Sequence, residues 1–123
     1  MSNKPNTIRQ AIEGMTLSLD TNEAKDVNAT IQFNLSGDDA AEYYLTVANG
    51  KCDFAEGTAA EADLTIESPA DVWLKIARKE LNGAMALMTG KYKASGKMGL
   101  LMKMDTLFSR TPTEDELKAK GWL

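Results

Sequence analysis

Residues 90–99 read GKYKASGKMG, and whether they form a phosphate-cradling loop or a strand decides which fold the chain builds. A phosphate loop needs four residues between its first glycine and its Gly-Lys pair, then a Ser or Thr whose hydroxyl reaches a metal ion. Here five residues, Lys91 to Ser95, separate Gly90 from Gly96, and Met98 stands where the hydroxyl belongs. The interval alternates instead, with Tyr92 and Ala94 on one side and Lys91, Lys93 and Ser95 on the other, which is the period of a strand. Read so, the glycines are turn residues at its ends.

Working outward, the same period of two recurs upstream. VNATIQFNL places Val27, Ala29, Ile31, Phe33 and Leu35 on one face and Asn28, Thr30, Gln32 and Asn34 on the other, a sheet with one wet side. YYLTVANG continues through Tyr43, Leu45 and Val47 to Asn49-Gly50, a strong hairpin signal, and KCDFAEG follows with Cys52 and Phe54 inward. ADLTIES adds a strand through Leu64 and Ile66, and the short connections predict antiparallel neighbours. Helical spacing appears at Ile8, Ile12 and Met15, and again in SPADVWLKIARKEL, where Ser68 reads as the cap, Pro69 as the first helical residue and Val72, Trp73, Ile76 and Ala77 as the buried stripe. AMALMTG supplies a shorter helical turn ending at Gly90, and Thr113 opens a short terminal helix stopped at Gly121, with Trp122-Leu123 beyond it.

The chain of 123 residues fits one domain spanning 1–123. Its net charge of −4, with 14 dispersed basic residues, argues against a nucleic-acid partner. There is no histidine and a single cysteine, Cys52. That removes Ser-His and Cys-His nucleophile pairs, imidazole metal sites and thiolate clusters, so neither metal nor cofactor is expected. Carboxylate chemistry remains, yet Asp38-Asp39 sits in a turn-like SGDD and Glu114-Asp115-Glu116 in a first helical turn, where the helix dipole already favours acids.

On a helical projection of residues 98–108, Met98, Leu100, Leu101, Met102, Met104, Leu107 and Phe108 spread over about 220°, roughly twice what resting on a sheet requires. Two explanations fit: burial on two sides, under the sheet and under the Trp122-Leu123 tail, or an arc that lines a cavity for an apolar ligand. Crowding of Met85, Met88, Met98, Met102 and Met104 favours the cavity, since flexible thioethers suit variable apolar partners. Asp105 falls inside this arc, between Met98 and Leu101 on the projection, so it faces solvent, pairs with a lysine such as Lys97, or meets a ligand's polar head.

ADLTIESPADVWLKI and LNGAMALMTGKYKASGKMGLLMKMDTLF, with ATIQFNLSG and YYLTVANGKCDFAEG before them, resemble the sterol carrier protein type 2 (SCP2) sterol-transfer family over roughly residues 27–108. The resemblance implies an α+β fold: a five-stranded, mainly antiparallel sheet with helices on one face, enclosing an apolar tunnel. It also implies a non-catalytic lipid-binding or lipid-transfer module for fatty acyl, sterol or isoprenoid-like ligands. One wall would be Phe33, Leu35, Tyr43, Leu45 and Tyr92, the other Met85, Met88, Leu101, Met102 and Phe108, with Asp105 at a polar head and residues 109–123 as a tail or lid. The ending Lys120-Gly121-Trp122-Leu123 lacks the peroxisomal Ser-Lys-Leu type, so a cytoplasmic location is expected. The alternative is a protein-interaction or dimerisation module using the Met-rich helix 98–108. Partner classes left open are a transient membrane or enzyme contact and a homodimer.

Overall fold

The computed structural model describes residues 4–122; Leu123, named above with the tail, lies outside them. Thr7 caps α1 (Ile8–Glu13), its hydroxyl oxygen accepting from the Gln10 N–H at 3.1 Å; Ile8 and Ile12 are buried as the spacing predicts, together with Ala11, while Met15 falls past the helix end and is half-buried. A 3-10 turn (Gly14–Leu17) follows. The sheet is built from β1 (Ala29–Ser36), β2 (Ala41–Ala48), β3 (Lys51–Glu56), β4 (Leu64–Pro69) and β5 (Lys93–Gly96), in the order β3-β2-β1-β4-β5. Helix α2 (Ala70–Ala77) and α3 (Gly83–Met88) lie between β4 and β5, and α4 (Met98–Leu107) and α5 (Glu114–Ala119) after them. At the β2–β3 hairpin Asn49 and Gly50 both take positive φ, 55° and 72°, the mirror-image turn whose twist matches the strands it joins.

Three of the four strand pairings are antiparallel, but β4 runs parallel to β1, Ile31 opposite Leu64 and Leu35 opposite Ser68. A parallel neighbour normally needs a long crossover. Here the strands' levels shorten it. β3 ends at Glu56, which through Tyr43 is level with Phe33, while β4 starts level with Ile31. Residues 57–63 therefore only step sideways over β2 and β1, three strand spacings or about 14 Å, well within an extended chain's reach. Gln32 holds this strap to the face away from the helices: its amide donates to Gly57 O at 3.1 Å and its carbonyl accepts from Ala59 N at 2.8 Å. The side expected to be wet is thus partly roofed, and Gln32 is buried, its polar atoms paired as burial demands.

Other boundaries move for local reasons. Ser68 is not a helix cap; it is the buried penultimate residue of β4, its hydroxyl donating to Pro69 O at 2.8 Å, and Pro69 stands at the N-cap with no side-chain bond. Ala70 and Trp73 are the buried residues of α2, with Val72, Ile76 and Ala77 only half-buried. Tyr92 precedes β5 rather than lying in it, yet is buried beneath α2 against Trp73. A Cβ at Gly99 would meet open space, so this glycine is not needed for close packing.

The tail docks on the amino-terminal turn, not over α4. Ser18 O accepts from Arg110 N at 3.0 Å and Leu107 O from Asp20 N at 2.8 Å. The Arg110 guanidinium donates to both Glu116 carboxylate oxygens, at 2.7 and 3.1 Å, and to Leu17 O at 2.7 Å. Lys120 reaches Glu13 at 3.3 Å, and a Cβ at Gly14 would lie 3.7 Å from the Trp122 ring. The Arg110 fork, then the Thr113 backbone N–H, hold the Glu116 carboxyl down from 4.5 to about 2. A carboxyl lowered on folding stabilises fully above its unfolded value and loses that contribution as pH falls through the folded one. Residues 113–122 should therefore loosen between about pH 4.5 and 2. Backbone amide NMR would show these signals moving in that window, and Glu116→Gln abolishing the dependence. Amides that stay fixed until the sheet unfolds would contradict it.

Candidate functional site

Odd-numbered residues of β1 and β2 put Ile31, Phe33, Leu35, Tyr43, Leu45 and Val47 on the helix-covered face, all buried. Phe33 lies beside Tyr43 on one side and Ile66 on the other. Above it, α2 presents Trp73 edge-on, ring centroids 5.3 Å apart at 61°, and Trp73 meets Tyr92 at 5.4 Å and 86°. This Phe33–Trp73–Tyr92 stack fills the space between α2 and the sheet, edge-to-face as ring quadrupoles prefer. Trp73 is the member that sequence reasoning placed in a helix stripe without assigning it to the site.

The apolar face does not stop at the stack. Leu35 and Tyr92 continue it to an open cleft of about 470 Å³ at the carboxyl ends of β1 and β4, rimmed by Glu67, Lys91 and Lys93. A second cleft of about 460 Å³ opens around Tyr43, Leu74 and Arg9. Arg9 of α1 pairs with Glu56 and lies over the Phe54 ring at 5.4 Å, tying α1 to β3 at that side. Burial, then the Asp105 carboxylate, push the Tyr92 phenol up.

The predicted second wall is only partly there. Leu100, Met104 and Leu107 are the buried side of α4, with Leu101 and Phe108 half-buried against the core. Met85, Met88 and Met102 instead face solvent, 55, 80 and 81% exposed, and Asp105 is exposed as well. The reason is geometric: Ala86 alone is the fully buried residue of α3, and the stripe 100–104–107 turns the opposite side of α4, with 98, 102 and 105, outward. These four residues therefore do not line the space above the sheet.

Elsewhere the polar chemistry is structural. Asp63 accepts from Thr30 N at 2.8 Å and pairs with Lys97 at 3.2 Å, and these bonds, Thr30's first, lower its carboxyl. Burial, then Asp53, push the Cys52 thiol up to about 12, which keeps it protonated and unreactive at neutral pH. Among the described residues no three His, Cys, Asp or Glu side chains cluster as a metal site would need, and no helix is long and apolar enough to cross a membrane.

A five-stranded sheet of order 3-2-1-4-5, helices on one face and an apolar floor running out to a cleft, define an α+β domain of the sterol-carrier type. The chain belongs to the SCP-2 sterol transfer family, which it matches over residues 9–109, extending the resemblance forward from Val27 into α1. It is 24% identical over 104 residues to hydroxysteroid dehydrogenase-like protein 2 of Xenopus laevis, covering 84% of this chain and 25% of that one. The chain thus spans about a quarter of the length of that relative. The crystal structure of sterol carrier protein 2 like 2 from Aedes aegypti superposes with a TM-score of 0.66 at 25% identity, over 81% of this chain and 92% of that one. Its palmitated solution form gives 0.67 at 23%, over 90 and 99%. The sec-alkylsulfatase Pisa1 of Pseudomonas contains the same fold, with a TM-score of 0.68 at 23% identity, over 80% of this chain and 16% of that one.

Proposed function

We propose that the chain is a non-catalytic, cytoplasmic lipid carrier. It holds a fatty acyl, sterol or isoprenoid-like molecule with its apolar body on the inner sheet face and its polar end at the cleft beside Tyr92. The continuity of that face carries the reading: Leu45, Phe33 and Tyr43 lead under Trp73 to Leu35 and Tyr92, with Leu101 and Phe108 alongside. A ligand chain enters by taking the place of Trp73 or Tyr92 on Phe33, exchanging one apolar contact for another at little net cost in transfer free energy. Lys91 and Lys93 at the rim suit an anionic head group. Family membership and the palmitated mosquito protein support the ligand class. That the dehydrogenase-like relative is about four times the length of the matched region supports, within the same reading, presentation of the lipid to a separate enzyme.

Mass spectrometry of the organic extract from denatured, purified protein tests it. A stoichiometric acyl, sterol or isoprenoid species is expected, together with saturable uptake of a fluorescent fatty acid by the emptied protein. An empty protein that takes up no fatty acid and dimerises tightly would overturn the carrier in favour of an interaction module built on α4.

A further inference from the structure

Among the described residues, the large apolar side chains left exposed are Met85, Met88, Met98 and Met102, all on the segment that runs from α3 through β5 into α4. The same segment, residues 81–104, contains Lys91, Lys93, Lys97 and Lys103 and not one Asp or Glu, although the whole chain carries a net −4. All four lysines are exposed. The elements fold back on one another at the sheet's β5 edge. Ala86 O of α3 accepts from Lys91 N at 2.8 Å, β5 pairs with β4, and α4 packs on β4 and β5. Asp105 marks where this basic surface ends, three residues past Met102 on the outer side of α4.

We propose that this β5 edge is a docking surface for an anionic lipid bilayer. The charge decides between occupants. A second copy of this acidic chain would bring its own lysines against these at a symmetric contact, whereas a layer of anionic head groups complements Lys91, Lys93 and Lys103, which outnumber Glu67 opposite Lys93, while Lys97 is already paired with Asp63. The methionines are unbranched and mobile, able to bury their thioethers at the acyl boundary while the lysine ammoniums stay among the head groups. The surface is adjacent to the cleft, because Lys91 and Lys93 belong to both. A carrier docked this way would face its cleft toward the membrane from which cargo is taken.

The inference rests on the carrier reading for its purpose but not for its test. Full-length protein is co-sedimented with vesicles of phosphatidylcholine alone and with vesicles containing phosphatidylserine. Binding is expected only to the anionic vesicles, and to be lost at high salt. Lys93→Glu/Lys103→Glu should weaken it by about tenfold or more. Met88→Ser/Met102→Ser should weaken it as well, while melting like the parent and taking up fluorescent fatty acid in solution unchanged. Failure of the parent to bind anionic vesicles, or equal binding by both double variants, would overturn the docking surface. So would a concentration-dependent dimer that the methionine variant abolishes without vesicle binding by the parent. Loss of fatty-acid uptake in the parent with vesicle binding intact would instead count against the carrier reading alone.

Discussion

Phe33→Ala should lower the melting temperature by roughly 10–20 °C. Phe33 is fully buried at the centre of the sheet, between Tyr43 and Ile66, and supports the Trp73 ring from below. Truncation removes the ring's transfer free energy and leaves a void that the stiff β-sheet cannot close, together about 3–5 kcal/mol for a Phe at such a site. Against a total stability of about 5–15 kcal/mol, that is a large share. Phe33→Leu keeps most of the volume and should cost less than about 1.5 kcal/mol. The carrier reading adds a second expectation, because the void opens beside the cleft. Saturating fatty acid should recover part of the loss, about 2.7 kcal/mol at one hundred times its Kd. Thermal melts of both variants, with and without fatty acid, check both points. A Phe33→Ala protein that melts within a few degrees of the parent would mean that the aromatic stack does not hold α2 down.

The strands could be read because a half-buried sheet writes its period into the sequence, and Phe33, Leu35, Tyr43 and Leu45 fall on the inner face for that reason. The antiparallel β1–β2 and β2–β3 neighbours could be read as well, from short connections and Asn49-Gly50, but not the β1–β4 pairing. The parallel β1–β4 contact depends on the levels at which β3 ends and β4 begins, and on Gln32 pinning the strap, neither of which has a local signature. Methionine misled for a related reason. An arc of 220° on residues 98–108 says that α4 carries more apolar surface than one contact needs, but the sheet selects Leu100, Met104 and Leu107, and nothing local says which side it selects. Trp122 likewise fits any apolar surface. Its position is set by Arg110 on Leu17 and Lys120 on Glu13, contacts between residues far apart in sequence. The buried sheet face of the candidate site was therefore legible, and the side chains with which the helices cover it were not.

Gly96→Ala should be nearly as damaging as the loss of Phe33, while Gly99→Ala, three residues on, should stabilise. At Gly96 φ is +107°, a region that L residues avoid, and a Cβ there would stand 2.4 Å from the Asp63 carbonyl oxygen. That oxygen belongs to backbone and already accepts from Lys97 N at 2.8 Å, so it cannot swing aside as a flexible side chain would. Relief requires β5 to part from β4 at the Leu64–Gly96 pair, on an edge strand with no neighbour beyond it to hold it in place. Backbone strain of about 1–3 kcal/mol, plus the pairing lost at that end, gives about 2–4 kcal/mol. Gly99 lies inside α4, where a Cβ meets nothing, and alanine should gain up to about 1 kcal/mol from helix propensity. Hydrogen exchange of the β5 amides separates local from global damage. In Gly96→Ala those amides should lose protection before β1 and β2 do, with Tyr92 and the rim lysines set loose alongside. Equal melting of the two alanine variants would mean that the close approach of Gly96 to Asp63 does not fix the β5 edge.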